Sequence, residues 1–202
     1  GSVDSTPLFV LLAGAYLERT GDLPTVRELW PNLLAALDWM DRFGDRDGDG
    51  LIEYHRESPG GLVNQGWKDA ADAVFHANGA LARGPIALCE VQGYAWQARL
   101  AAARIARALD DLETAAVQER CAEVLRSRFE AAFWCEEIGT YALALDGAKR
   151  PCRVRTSNAG QVLLAGLAAP ERARSVAEQL LGRGMFSGWG IRTVASDEAR
   201  YS

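Results

Sequence analysis

PLFVLLAGAYLERTGDLPTVRELWPNLLAALDWM, residues 7–40, sets two helical patterns of different kind side by side. Over 7–19 the apolar residues Leu8, Phe9, Val10, Leu11, Leu12, Tyr16 and Leu17 fall on almost every side. A helix apolar all round is a buried helix. Gly21 and Pro24 then break the pattern. Over 25–43, Val26, Leu29, Trp30, Leu33, Leu34, Leu37 and Met40 form a one-sided stripe, which reads as an amphipathic surface helix.

The same alternation returns twice. Pro85 suits a first helical position and opens an Ala-rich pattern reaching residue 109. Asp110 with Glu113 resembles a capping pair, ahead of an amphipathic helix to residue 134 whose inner face is Cys121, Val124, Leu125, Phe129 and Phe133. Thr156 or Ser157 is placed to cap a short apolar helix over 159–168. Pro170 opens a last amphipathic helix, closed by Gly182. The fold class is therefore all-α, with three helical hairpins. Two arrangements accommodate them, the concentric layers of an α-hairpin toroid and an ordinary bundle, and periodicity does not choose between the two. The stretches 44–84 and 139–155 lack helical periodicity and exceed common connection lengths, which favours functional loops. A short strand pair is expected around Tyr141 to Leu145, and residues 186–190 form a third irregular stretch.

Composition narrows the function. The chain has 202 residues, 49% hydrophobic and 24% charged, with a net charge of −5. That mix is globular. No basic stripe emerges, which argues against nucleic acid and membrane as partners. The run from Leu8 to Leu17 is too short to span a bilayer. Cys89, Cys121, Cys135 and Cys152 contain no Cys-x-x-Cys pair, and His55 and His76 are the only histidines, so a structural zinc site is disfavoured. Cysteines in apolar segments point to a reducing, cytoplasmic setting. No Gly-x-Ser-x-Gly, Gly-x-Gly-x-x-Gly or P-loop motif occurs.

Three segments carry candidate chemistry. In Asn64-Gln65-Gly66-Trp67-Lys68-Asp69, Trp67 offers a flat apolar face beside hydrogen-bonding groups, which suits a sugar ring. Desolvation beside Trp67 would raise the Asp69 carboxyl and fit it to protonate a leaving oxygen, with Asp72 as the neighbouring candidate. The competing reading is a loop Trp packed on the core and an Asp that caps a helix. Glu90, with Gln92 and Tyr94 close by, lies in an apolar helical pattern. There a carboxylate is costly unless it is paired or functional. It either meets an Arg of a neighbouring helix or faces a cleft and holds sugar hydroxyls. Asp4 stands where an N-cap of the first helix is expected. Finally, Asp45, Asp47, Asp49 and Gly50 copy the first half of an EF-hand loop. Glu53 is placed to add an oxygen, but Arg56 stands where the closing Glu belongs. The alternative is a solvated Asp/Gly turn.

Taken in order, SVDST near Asp4, DRDGDGLIEY from Asp45, NQGWKDA to Asp69, ALCEVQGY at Glu90, RTSNAGQ near Asn158 and GWGIRT at Trp189 resemble bacterial glycogen-debranching-type proteins. These are amylo-α-1,6-glucosidase relatives of the six-hairpin glycosidase superfamily. The resemblance implies an (α/α)6 barrel, about three of whose six hairpins lie in this chain, and an inverting hydrolase acting on α-glucans or related α-glucosides. It assigns Asp69 as general acid, Asp4 and Glu90 as holders of sugar hydroxyls, and Trp67 as part of the sugar-binding wall, and Gln65 and Tyr94 are read beside them as further substrate-binding candidates. It implies no required cofactor, and the loop with Asp45, Asp47, Asp49 and Glu53 resembles a segment that carries calcium in some relatives. Ala70-Ala71 replaces the usual Ser-Gly after the acid, which removes a hydroxyl hydrogen bond. The catalytic base is expected beyond Ser202, so the chain reads as a piece of a longer protein that is inactive alone. A second copy is a candidate for completing the ring. A carbohydrate-binding module without catalysis is the alternative from another functional class.

Overall fold

The computed structural model describes residues 1–201. Six α-helices form three consecutive hairpins: α1 (Ser5–Thr20) with α2 (Leu23–Trp39), α3 (Cys89–Ala108) with α4 (Leu112–Phe133), and α5 (Asn158–Ala165) with α6 (Pro170–Leu181). The central helix α3 packs against α1 on one side and α5 on the other, with α4 behind it. The inner layer is thus α1, α3 and α5, and the second helix of each hairpin lies outside it. This is the two-layer arrangement of a helical-hairpin toroid.

Small residues let the inner helices approach. Along α3, Ala95, Ala98, Ala102 and Ala106 are fully buried. A Cβ on Gly14 of α1 would lie 2.6 Å from the Ala101 Cβ, and one on Gly93 of α3 would lie 3.0 Å from the Ala165 Cβ. Glycine at these two points is what allows α1 and α5 to sit directly on α3. Behind them, Phe129, Phe133 and Tyr141 pack with ring centroids 4.7–4.8 Å apart and anchor α4 to the core.

The structure corrects several local expectations. Helix α1 is not buried all round. Pro7, Val10, Ala13 and Gly14 are covered, but Leu12 is 66% exposed and Leu8 and Phe9 more than a third. Among the described residues α2 and α3 are the helices that pack closely against this one, and α5 likewise leaves Leu164 exposed. Pro85 does not start a helix. It follows Gly84 through a cis peptide bond, and Ile86 then exchanges backbone hydrogen bonds of 2.9 and 3.0 Å with Tyr54. Strand β1 (Ala87–Leu88) pairs antiparallel with β4 (Ala144–Leu145), so α3 begins only at Cys89. The strand pair expected near Tyr141 exists as two separate pairings, because β3 (Thr140–Tyr141) joins β2 (Trp134–Cys135) instead of β4.

Caps also differ. Asp111, not Asp110, caps α4 by accepting from the Thr114 N–H at 3.1 Å, while Asp110 adopts φ 65. Ser157 occupies the cap position of α5 without a capping side-chain bond. Asp4 does the same for α1: its φ and ψ are helical rather than extended, and its carboxylate accepts from the Ser2 hydroxyl instead. All four cysteines are free, and Cys89, Cys135 and Cys152 are buried. Among the described residues no helix is long and apolar enough to cross a membrane.

Candidate active site

The first residues of the inner helices are polar and buried. Asp4 precedes α1 and is 8% exposed, Glu90 is the second residue of α3 and is 1% exposed, and Asn158 opens α5 fully buried. Polar side chains at these depths need partners or a task.

The loop carrying Trp67 and Asp69 lies across these helix ends. Val3, next to Asp4, donates its N–H to the Gln65 carbonyl at 2.9 Å. Gly66 sits against the start of α3, where a Cβ would meet Leu88 at 2.4 Å and come within 3.8 Å of Glu90 Oε1. Any larger residue would lift the loop off Glu90. Within the loop, Asn64 is buried, accepts from the Tyr54 hydroxyl at 2.9 Å and donates to the Ala70 carbonyl at 2.5 Å. Lys68 lies over the Trp67 ring at 5.1 Å and donates to the Thr193 carbonyl at 2.7 Å, which pins the loop to the segment after α6.

Asp4, Gln65 and Glu90 therefore converge on one end of the inner helices. Tyr94 belongs with them. Burial first, and then the charges of Glu90 and Asp4, push its hydroxyl up to about 12. Trp67 is 47% exposed, an open aromatic face beside this cluster. Asp69 is exposed on the same loop, so the burial beside Trp67 that the sequence suggests is absent from this chain's fold. Asp72 is exposed too and faces Arg200 at 3.8 Å. Gln65 also lines a cleft of about 640 Å³ whose walls include Ser2, Trp39, Phe43, Arg46 and Tyr54.

Among the described residues Glu90 meets no arginine. Its carboxyl is raised chiefly by burial, against the Asn158 amide, its own backbone N–H and the Lys68 charge. Asn158 lies near enough to favour the ionised carboxylate but short of hydrogen-bond geometry, so both its side-chain atoms are unpaired. Burial in turn lowers Lys68 to about 8, against the pull of Glu90.

A raised carboxyl means that the folded chain binds the proton more tightly than the unfolded chain. Stability is then lost as pH climbs from the ordinary Glu value of 4.5 through the folded value. Glu90→Gln is expected to melt like wild type in acid and to become progressively more stable than it towards neutral pH. Parallel melting curves across that range would show that burial does not raise the Glu90 carboxyl.

The acidic loop forms a second cluster. Carboxylate oxygens of Asp45, Asp47 and Asp49 lie within 4.8 Å of one another. Their centre is not open, because the Lys149 ammonium reaches Asp47 at 2.8 Å, Asp49 at 2.6 Å and Glu53 at 3.0 Å. Asp45 Oδ1 and Glu53 Oε1 remain buried without a partner. Gln92, which the sequence sets close to Glu90, is committed elsewhere. Fully buried, it accepts from Ile52 N–H at 2.8 Å and donates to the Ile52 carbonyl at 2.7 Å, so it fastens this loop to α3. Sequence reading missed Asn158 as a site residue, though its motif was visible, and missed Lys149 altogether.

Comparisons with known proteins agree with this architecture. A rhamnosidase of glycoside hydrolase family 78 from Bacillus sp. GL1 superposes with a TM-score of 0.66 at 18% identity over 89% of this chain. A sialidase structure gives 0.73 at 15% identity over 94%. A rhamnosidase from Klebsiella oxytoca with rhamnose bound gives 0.62 at 20% identity over 89%. These likenesses concern the fold. The chain spans only 17%, 16% and 30% of those three chains. No curated protein matches it in sequence. The model of the mannosylglycerate hydrolase MGH1-like glycoside hydrolase domain matches residues 2–202. The six-hairpin glycosidase resemblance holds at this level, and over essentially its whole length the chain belongs to the MGH1-like glycoside hydrolase domain family.

Proposed function

We propose that this chain supplies the acid-bearing part of an inverting α-glycoside hydrolase, with α-glucans or related α-glucosides as substrates. The observation that carries the reading is the convergence of Asp4 and Glu90, both buried at inner-helix ends, beneath the one loop that presents Trp67 and Asp69.

In this mechanism a sugar ring stacks on Trp67 while Asp4, Gln65, Glu90 and Tyr94 take its hydroxyls. Asp69 protonates the departing glycosidic oxygen. A second carboxylate, roughly 6.5–9.5 Å away in inverting enzymes, activates water on the opposite face of the ring. That base is assigned to no residue of this chain. Because Asp69 is exposed, its desolvation falls to the bound sugar and to whatever covers the cleft. The exposed apolar residues Leu8 and Leu12 on α1 and Leu164 on α5 leave room for such neighbours, either further hairpins of the ring or a second copy. Buried free thiols fit a reducing, cytoplasmic setting.

Titration of the chain with malto-oligosaccharides, α-mannosylglycerate and an α-rhamnoside, followed by Trp fluorescence, tests the site. Saturable quenching by the malto-oligosaccharides that disappears in Trp67→Ala supports it. Preference for another of the three sugars moves the substrate class. No response to any of them removes the sugar site.

A further inference from the structure

We propose that the acidic loop's resident cation is the chain's own Lys149, and that the loop takes no calcium while Lys149 is present. Only two lysines occur in the sequence, Lys68 and Lys149, and arginine supplies every other permanent cation. Lysine is the residue suited to this place. An ammonium is a compact point charge with three donors, whereas a guanidinium is a flat fork. Here the three donors meet three carboxylates from one loop at 2.6–3.0 Å, so the ammonium stands where an oxygen-ligated cation would stand.

The placement is built by backbone. Asp146, whose side chain is buried, accepts from the Ala148 and Arg150 N–H groups at 2.9 Å each, which folds the tight turn 146–150. Lys149 adopts φ 59 on that turn, and its amide donates to the Asp146 carbonyl at 2.7 Å. The turn thus aims a long cationic side chain at a loop about a hundred residues away in sequence. On the other side Glu53 is 3% exposed, and a buried carboxylate of this kind requires a positive partner. Arg56 stands in the closing position of the EF-like pattern, so the loop lacks the bidentate carboxylate a calcium ion takes there.

Amine acylation of the folded wild-type chain, read at Lys149 by peptide mass spectrometry, tests the proposal directly. Protection of Lys149 that is the same in calcium and in chelator is expected. Acylation that rises several-fold on adding calcium would show the ammonium displaced by the metal and overturn the proposal. A second arm uses Lys149→Met. Removing the partner of the buried Glu53 carboxylate is expected to lower Tm by about 5–10 °C in chelator. Calcium should restore part of that loss in the variant while leaving wild-type Tm unchanged. A calcium-dependent rise in wild type, or a variant that folds and ignores calcium, would also overturn it. Should Lys149→Met not fold, the acylation arm decides alone.

Discussion

Asp69→Asn, placed in an intact enzyme carrying this domain, is expected to cut hydrolysis of unactivated α-glycosides by about 10²–10⁴-fold. That factor corresponds to about 3–5 kcal/mol of transition-state stabilisation. An amide of nearly the same shape cannot deliver the proton, so the loss falls on kcat. Asp69 is exposed and its neighbours are held by Asn64 and Lys68, so the variant keeps the loop. Sugar binding read at Trp67 should therefore survive. Aryl glycosides with acidic phenols, which leave without help, should be hydrolysed at close to the wild-type rate. Asp72→Asn serves as the control and should change little. Equal loss on both substrate types would mean that Asp69 positions sugar and that the acid lies elsewhere.

Gln92→Leu is expected to be the most destabilising polar substitution near the site. The Gln92 amide satisfies both the N–H and the carbonyl of Ile52, which is itself 2% exposed. A leucine of similar volume fills the space and leaves two buried backbone groups unpaired. At about 1–3 kcal/mol each, the loss is about 2–6 kcal/mol. For a chain of this length that lowers Tm by roughly 5–20 °C. Denaturant unfolding measures it, and hydrogen exchange should show the loss concentrated in residues 45–54. Gln65→Leu, at a partly exposed position, should stay within about 0.5 kcal/mol of wild type. A Gln92→Leu midpoint indistinguishable from wild type would mean that Ile52 finds other partners and that the loop is not fastened through α3.

The three hairpins were legible in the sequence because hydrophobic periodicity is a local signal, whereas their arrangement in two layers was decided only by how α1 and α5 pack on α3. The stripe through Val26, Leu33 and Leu37 needs no knowledge of what covers it, and all three are buried. Uniform apolarity in α1 misled for a related reason. Composition records that Leu8 and Leu12 are apolar, but whether anything sits on them depends on neighbours, and here only α2 and α3 supply them. Local rules failed at Pro85 too. Its preference for a helix start lost to strand pairing with Tyr54 and Leu145, residues distant in the chain. The site divided the same way. The residue types in Asn64-Gln65-Gly66-Trp67-Lys68-Asp69, Asp4 and Glu90 marked candidates, since a carboxylate in an apolar pattern stands out wherever it lies. Their convergence was decided only by tertiary structure, through Val3 on Gln65 and Gly66 on Leu88. Lys149 is the clearest case. Its contact with Glu53 spans 96 residues, and the bond from Lys68 to Thr193 spans 125. A polar pair between distant segments leaves no periodicity in either of them, so only the folded backbone brings such partners together.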